Sequence, residues 1–402
     1  MTTKINNEHN KLNFSSEREQ SQACLNSAEH EKNQGRKVLN VPNLRFPEFS
    51  GEWEKSTLGD ISEFSKDRLN SKELSCDNYV ATENMLQDYQ GIVAASNIPS
   101  STNVIKFSKG DVLLSNIRPY LKKVWYADRD GGCSADVFVF KALAVCNSDF
   151  LHYIIANDRF INFAMSGAKG VKMPRGDKEQ MKTYKIGLPS KEEQGKIADL
   201  LRLLDERIAT QNKIIDKLQS LIRGIRHDIF KDIQGEVLAL SNIADIYQPQ
   251  TISSSDLTSE GYWVYGANGI IGKYKEYNHE TEQICITCRG NTCGTVNYTQ
   301  PKVWITGNTM VINTDKYQRQ VNKRFLFHYL SSYNFKSIVS GSGQPQIVRT
   351  PLEKIKVVLP TIEKQERIAN SIDIVSEKIN TESSVLRLLE NQKLYLLRQM
   401  FI

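Results

Sequence analysis

Hydrophobic residues recur at alternating intervals of four and three in two long segments, one in the middle of the chain and one towards its C-terminal end. A period close to 3.5 residues, sustained over roughly 33 positions, predicts a coiled-coil seam about 50 Å long rather than an ordinary amphipathic helix. The first predicted seam consists of Ile197, Leu201, Leu204, Ile208, Gln211, Ile215, Leu218, Ile222, Ile225 and Ile229. The second consists of Ile368, Ile372, Val375, Ile379, Glu382, Leu386, Leu389, Lys393, Leu396 and Met400.

The two segments are copies of one another. Aligning residues 185–230 with residues 356–401 gives twelve identities in 46 positions, where unrelated segments would give about three, and this indicates an internal repeat. Antiparallel pairing of the two helices would bury both seams, and pairing with a second chain is the alternative. The repeat aligns Gln211 with Glu382. Polar seam residues of this kind either fix the register of the helices or are tolerated at a partly open seam.

A globular-looking segment precedes each helix, and the predicted strands follow the same order in both. Ile284–Thr287 corresponds to Val112–Ser115, and Thr309–Ile312 corresponds to Val137–Phe140, with nearly the same offset as the helices. Apolar and β-branched runs of this length, bounded by turn residues, predict strands. The shared order of elements indicates two copies of one mixed domain with diverged surfaces.

A helix is predicted near Phe150–Met165 in the first copy and near Lys323–Ser340 in the second, each followed by a glycine-containing loop. We therefore predict a mixed α/β (α+β) fold with two globular domains, separated by two long antiparallel coiled-coil helices in a pseudo-twofold repeat. The predicted divisions are a polar, disordered leader (1–40), a first domain (41–189), a first helix (190–232), a second domain (233–360) and a second helix (361–402).

Composition narrows the class of protein only slightly. The chain has 402 residues, a net charge of +6 and a pI near 8.7; this suits an anionic partner, although a solvated surface with excess lysine is the more common explanation. No run approaches the roughly 18 apolar residues that span a bilayer, and the N-terminal sequence lacks the apolar core of a signal peptide. Seven cysteines without framework spacing fit reduced thiols. We expect a cytoplasmic protein that does not engage a membrane.

Motifs that carry catalysis are missing from the sequence. Asn116–Tyr120 lacks the second proline of the tetrad that holds a flipped adenine, and GANGIIG (266–272) lacks the GxGxxG spacing and predicts a turn. No GxxxxGK[ST] phosphate loop occurs. Cys285, Cys288 and Cys293 lack a second ligand pair, so cysteines in and beside a strand are the preferred interpretation over a metal site. We predict a chain without catalytic residues, metal or cofactor of its own.

Several segments resemble, in the right order, the specificity (S) subunit of Type I restriction–modification systems over residues 41–402. LRFPEFSGEWEKSTLGDI (44–61) resembles the entry to a first target-recognition domain. YVATENM (79–85) and VYGANGIIGKYKEYNHE (264–280) resemble two different classes of recognition-domain opening. The sequences beginning LPSKEEQGKIAD (188–199) and LPTIEKQERIAN (359–370) resemble the paired spacer helices. The polar leader departs from this pattern.

The resemblance implies a DNA-recognition subunit whose two target-recognition domains each read half of an interrupted site in double-stranded DNA. Because the two openings belong to different classes, the half-sites are expected to differ. The resemblance also implies docking of two adenine-methyltransferase (M) subunits and two ATP-driven restriction (R) subunits. S-adenosylmethionine, ATP and Mg are then expected in those partners. The alternatives are a coiled-coil interaction scaffold and a self-contained methyltransferase or nuclease.

Side chains that can contact DNA cluster in the predicted loops. Arginine and lysine suit phosphates and guanine edges, and asparagine and glutamine suit adenine edges. For each residue, the alternative is a solvated or turn-stabilising role. The candidates in the first domain are Arg118, Tyr120, Lys122, Lys123, Lys169, Lys172 and Arg175. Those in the second are Asn268, Arg289, Asn291, Thr292, Gln344, Gln346 and Arg349, of which Arg289, Asn291 and Thr292 are favoured for base contact.

Overall fold

The computed structural model describes residues 40–267, 269–341 and 343–402. Two compact units make up the chain. The first comprises the residues up to Leu203 together with Gln392–Ile402, and the second comprises Leu204–Asn391. The predicted disorder of the leader concerns residues that, apart from Asn40, lie outside those described. The domain limits drawn from the sequence stay predictions.

The first unit contains short strands and short helices in a mixed order. Its strands are β1 (Glu54–Thr57), β2 (Ser62–Phe64), β3 (Arg68–Asn70), β4 (Tyr79–Val80), β5 (Asn103–Phe107), β6 (Val112–Ser115), β7 (Val124–Tyr126), β8 (Gly131–Cys133), β9 (Val137–Ala142) and β10 (Lys185–Leu188). Its short helices are α1 (Leu58–Ile61), α2 (Ser148–Ile155), α3 (Asp158–Ser166) and α4 (Lys178–Lys182).

Three sheets organise the strands of the first unit. An antiparallel sheet has the order β2-β9-β6-β7, a second has the order β3-β5-β8-β4, and β1 pairs with β10. Strand β6 is buried at every position and reads in the sequence as a continuous apolar run, which is typical of a strand covered on both faces. Helix α2 packs against it, and Leu113 shares a core cluster with Phe107 and Cys133.

The chain continues into a long helix, α5 (Lys191–Lys231). The strands that follow are β11 (Glu236–Ala239), β12 (Asp245–Tyr247), β13 (Tyr262–Gly266), β14 (Gly269–Tyr274), β15 (Ile284–Thr287), β16 (Val296–Tyr298), β17 (Trp304–Ile305), β18 (Thr309–Asn313) and β19 (Lys356–Leu359). The short helices of the second unit are α6 (Lys323–Ser332) and α7 (Arg349–Glu353). A second long helix, α8 (Ile362–Gln399), follows β19.

Strand order and register confirm that the two units are copies. The order β12-β18-β15-β16 matches β2-β9-β6-β7, and β11 pairs with β19 as β1 pairs with β10. In the central pairs, Leu113 lies opposite Val139, and Cys285 lies opposite Val311. These pairs occupy equivalent positions in the repeat that the sequence predicts. The mixed α/β fold with duplicated units and two long helices is therefore correct.

Each long helix has more residues than the roughly 33 of its predicted seam. Helix α5 has 41 residues and α8 has 38, which corresponds to about 60 Å each at 1.5 Å per residue. Within the second unit they run antiparallel: the Gln211 side-chain amide donates to the Glu382 carbonyl oxygen at 3.0 Å, and Arg226, later in α5, is close to Asp373, earlier in α8. Pairing within the chain thus accounts for the seam there.

Burial along the helices follows the predicted seam positions. The buried members are Ile197, Leu201, Leu204, Gln211, Ile215, Ile222, Ile372, Leu389, Leu396 and Met400. The half-buried members are Ile208, Leu218, Ile225, Ile229, Ile368, Val375, Ile379, Glu382, Leu386 and Lys393. Off the seam, Leu203 is 57% exposed and Leu388 is 68% exposed, so burial depends on helix face rather than on residue type. Assigning the seam residues a spacer role stays a prediction.

A buried glutamine at the start of each long helix makes the same set of hydrogen bonds in each unit. The Gln194 carboxamide accepts from the Asn147 backbone N–H at 2.7 Å and donates to two carbonyl oxygens, those of Val145 and Pro189. Gln365 accepts from the Asn322 N–H at 2.8 Å and donates to the carbonyls of Gln320 and Pro360. The repeat therefore extends to single hydrogen bonds.

A charged network joins α5, α6 and α8 inside the second unit. The Arg226 guanidinium contacts His328 Nδ1 at 3.0 Å, His328 Nε2 contacts Asp373 at 2.8 Å, and Arg324 Nε donates to Asp373 at 2.9 Å. Burial lowers the pKa of His328 to about 4, although the hydrogen bond with Asp373 opposes this. Burial acts to raise the pKa of Asp373, but hydrogen bonds from Arg324 and His328 outweigh it and hold that pKa below its usual value.

Both predicted helices beyond the sheets are shorter than the sequence pattern indicates. The stretch predicted near Phe150–Met165 breaks between α2 and α3, because the Asn157 side chain caps α3 by accepting from the Arg159 N–H. The stretch predicted near Lys323–Ser340 ends as an α-helix at Ser332, and Asn334 caps a separate 3₁₀ turn. Asparagine competes with helical hydrogen bonding and favours caps, which explains both breaks.

Candidate nucleic-acid interface

A glycine-containing hairpin loop projects next to the central sheet of the first unit. Lys169 and Arg175 exchange backbone hydrogen bonds of 2.9 Å in both directions, and Gly170 adopts a left-handed φ of +98°. The Arg118 N–H donates to the Pro174 carbonyl oxygen at 2.8 Å. These bonds fix the loop against the segment that follows β6.

The second unit builds the same loop at equivalent positions. Ser340 and Gln346 exchange backbone hydrogen bonds of 2.8 Å, and Gly341 has a φ of +90°. The Gly290 N–H donates to the Pro345 carbonyl oxygen at 3.0 Å. The sequence places both loops after equivalent helices, but it does not predict this shared backbone pairing, because the loop residues themselves differ.

The lysines after β6 contact protein groups. Lys122 Nζ lies 2.8 Å from Asp158 Oδ1, and Lys123 Nζ donates to the Thr82 carbonyl oxygen at 2.6 Å. Tyr120, between them and Arg118, is 48% exposed. Of this candidate group, Tyr120 therefore offers the most accessible side chain.

Backbone strain surrounds the same segment. Arg118 and Lys122 both adopt left-handed φ values near +50°, at the two ends of a 3₁₀ turn. Asp88 and Tyr89 also have positive φ, and their N–H groups donate to the carbonyls of Leu121 and Lys122. Such conformations persist in non-glycine residues only where surrounding contacts impose them. The Tyr120 turn is consequently braced rather than free to adapt.

The hairpin of the first unit carries its cations outward. Lys169 is 82% exposed and 2.8 Å from Asp177, and Arg175 is 53% exposed with Nη1 3.0 Å from Asp136. Lys172, at the tip, is exposed. This loop offers positive charge to an anionic partner without a need to disrupt the core.

Three candidates of the second unit line one cleft. Arg289 forms a backbone β-bridge with Gln346, and both line this cleft with Gln344 and Asn308. Asn291 and Thr292 are exposed in the turn that follows. Arg349 instead lies at the start of α7, where it pairs with Glu353 at 2.6 Å. Asn268 falls outside the described residues.

The cysteines of the second unit lie in and beside β15. Cys285 and Cys288 are buried, and burial raises the pKa of both thiols. His279 stacks on Tyr247 and shares a hydrogen bond of 2.8 Å with its hydroxyl group. Burial lowers the pKa of His279 to about 4. Within the described ranges, no three His, Cys, Asp or Glu side chains are placed to hold a metal ion.

The chain holds two related units that present the same loop with different side chains. Residues 50–220 and 233–391 match the model of the Type I restriction modification DNA specificity domain. The chain therefore belongs to that family.

Known proteins resemble the chain over different lengths. It is 25% identical over 415 residues to the Type I restriction enzyme MjaVIII specificity subunit of Methanocaldococcus jannaschii, covering 87% of this chain and 91% of that protein. It is 27% identical over 161 residues to the EcoprrI specificity subunit of Escherichia coli. That match spans 39% of each protein.

A solved structure shares the fold. The S subunit of a Type I restriction–modification system from M. genitalium superposes with a TM-score of 0.63 at 18% sequence identity, covering 90% of this chain and 99% of that one. No helix within the described parts of the chain is long and apolar enough to cross a membrane.

Proposed function

We propose that the chain is the sequence-specific DNA-recognition subunit of a Type I restriction–modification complex and reads a bipartite, asymmetric site. The pair of equivalent hairpin loops at residues 169–175 and 340–346 carries this proposal, because one backbone frame presents different side chains in each unit. Two similar frames suit two half-sites, and two sets of side chains suit half-sites of different sequence.

The exposed groups divide between two roles. Lys169 and Lys172 suit phosphates, which position a protein on the duplex without reading its sequence. Arg289, Asn291 and Gln344 suit base edges in the major groove. Because phosphate contacts release counterions, DNA binding by the assembled complex should weaken steeply as salt rises.

Catalysis of methylation and cleavage would belong to partner subunits rather than to this chain. Two methyltransferase subunits would supply S-adenosylmethionine chemistry, and two restriction subunits would use ATP and Mg. This chain then acts where the genome lies, in the cytoplasm, and contributes recognition and docking. The missing cofactor motifs in its sequence support this division of labour.

The experiment is a genome-wide map of adenine methylation in the host, with and without this chain. Loss of one bipartite, non-palindromic methylated motif on deletion is the expected result. An unchanged map, together with a purified chain that binds S-adenosylmethionine by calorimetry, would favour a self-contained methyltransferase instead. An unchanged map with no salt-dependent duplex binding by the assembled complex would favour a protein scaffold.

A domain exchange tests the division into half-sites. Replacing residues 233–360 with the corresponding segment of another family member should change one half of the methylated motif and leave the other intact. A change in both halves, or in neither, would contradict the assignment of one half-site to each unit.

A further inference from the structure

In each unit, one residue next to the hairpin loop occupies an equivalent position. The Asn116 N–H donates to the Asp136 carbonyl oxygen at 2.8 Å in the first unit, and the Cys288 N–H donates to the Asn308 carbonyl oxygen at 3.0 Å in the second. Asp136 immediately precedes β9, and Asn308 immediately precedes the equivalent strand β18. Asp136 and Asn308 therefore occupy the same place in the two copies.

At these equivalent positions the first unit has charged side chains and the second has neutral amides. Arg175 and Gln346 hold the same place in the two hairpins, and Asp136 and Asn308 hold the neighbouring place. The first unit therefore carries an arginine with an aspartate, whereas the second carries a glutamine with an asparagine. Where the first copy has an ion pair, the second has two amide side chains.

Both pairs are accessible and held by their surroundings. The side chain of Arg175 is 53% exposed and that of Asp136 is 38% exposed, with Nη1 and Oδ1 3.0 Å apart. This contact holds the guanidinium beside the carboxylate while much of the side chain faces solvent. In the second unit, Gln346 and Asn308 line the same surface cleft. The backbone bonds that frame each loop set the position of either pair.

The hydrogen-bonding groups of these side chains match two different base pairs, guanine·cytosine in the first unit and adenine·thymine in the second. Arginine donates two parallel hydrogen bonds to O6 and N7 of guanine, and aspartate accepts from the cytosine amino group. One amide, of glutamine or asparagine, can donate to N7 and accept from the amino group of adenine, and the other can donate to O4 of thymine. We propose that this position reads one base pair in each half-site, with Arg175 and Asp136 selecting guanine·cytosine and Gln346 and Asn308 selecting adenine·thymine. The inference rests on the proposed DNA-recognition function.

Reciprocal exchange of the pairs tests the inference in the full chain, expressed in the host beside its methyltransferase subunits. The R175Q/D136N variant should change or relax one G·C pair in one half of the methylated motif. The Q346R/N308D variant should change one A·T pair in the other half. As a matched control, R129Q/D128N removes an exposed ion pair of the first unit and should leave the motif unchanged.

Competition binding distinguishes base reading from other roles of these residues. It can be measured even for a variant that no longer methylates DNA. With the purified complex and duplexes varied at each motif position, each exchange should reduce discrimination about 10- to 100-fold at one base pair. An equal loss of affinity for all duplexes, or an unchanged base preference at every position, would overturn the inference. If the parent chain specified no bipartite methylated motif in the host, the proposed function itself would be wrong. That outcome is distinct from a failure of the base-pair assignment.

Discussion

At the scale of single residues, the buried glutamines at the start of the long helices stabilise the loops that precede them. Gln365 satisfies one N–H and two carbonyl groups with a side chain that is fully buried. Gln365→Leu should lower the free energy of unfolding of the second unit by on the order of 3 kcal/mol, because each orphaned buried group costs about 1 kcal/mol or more. Scanning calorimetry measures this.

Gln219 on α5 provides the control for that substitution. Its side chain is exposed, so Gln219→Leu should change stability by no more than about 0.5 kcal/mol. Equal effects of the two substitutions would contradict the role given to Gln365.

His328 makes the second unit sensitive to acid. Its pKa is about 4 in the folded chain and near 6.5 when unfolded, so between these values the unfolded state binds more protons. Stability therefore falls as pH decreases from about 6.5 to about 4. His328→Gln should reduce this pH dependence in thermal denaturation, whereas substitution of His227, which is 71% exposed, should leave it unchanged. A parent-like pH profile for His328→Gln would contradict the assignment.

The sequence predicted which residue types could contact DNA, but not which were engaged within the fold. Lys122 and Lys123 satisfy the same sequence criteria as Lys172, and only the structure shows their contacts with Asp158 and Thr82. Those partners are distant in the chain, so no local pattern reveals them. Arg175 was predicted as a candidate, whereas Asp136 was not, because a lone aspartate after a turn carries no distinctive signal.

At the scale of elements, the sequence predicts where helices and strands lie better than it predicts where they begin, end or break. The sequence predicts strands β6 and β15 because both are mostly apolar runs between turns. The break at Asn157 was not predicted, since apolar residues continue through it and the cap is a single side-chain hydrogen bond. Each long helix begins before its seam, because helical hydrogen bonding does not require an apolar residue at every turn.

The paired helices predict a relation between helix length and site spacing. Inserting one heptad at equivalent points of α5 and α8 keeps the seam in phase and adds about 10 Å. The gap between half-sites should then lengthen by about three base pairs, at roughly 3.4 Å per base pair, while both half-sites stay the same. Methylation mapping of the variant measures the gap. A lengthened variant that reads the parent's gap would contradict a spacer role for these helices.

At the scale of the whole molecule, the first unit depends on residues 392–402. Phe401 stacks on Phe150 with ring centroids 5.2 Å apart, its carbonyl oxygen accepts from Arg159 at 2.9 Å, and the Leu44 N–H donates to the Gln399 carbonyl oxygen at 3.0 Å. A chain ending after Asn391 should lose the calorimetric transition of the first unit and keep that of the second.

Two point substitutions refine the truncation test. Phe401→Ala should lower the stability of the first unit by roughly 3 kcal/mol, as expected for removing a buried aromatic ring. Leu388→Ala, at an exposed position on α8, should have little effect. If the truncated chain retained both transitions, residues 392–402 would not be part of the first unit's cooperative fold.

This arrangement also sets an order for folding during synthesis. Residues 204–391 leave the ribosome as an uninterrupted stretch, whereas the unit that begins earlier still waits for residues 392–402. Chains usually fold their N-terminal domain first. Here the later-encoded unit is available in full before the earlier one, so we expect the N-terminal unit to cover its Phe150 face only after translation has passed the second unit.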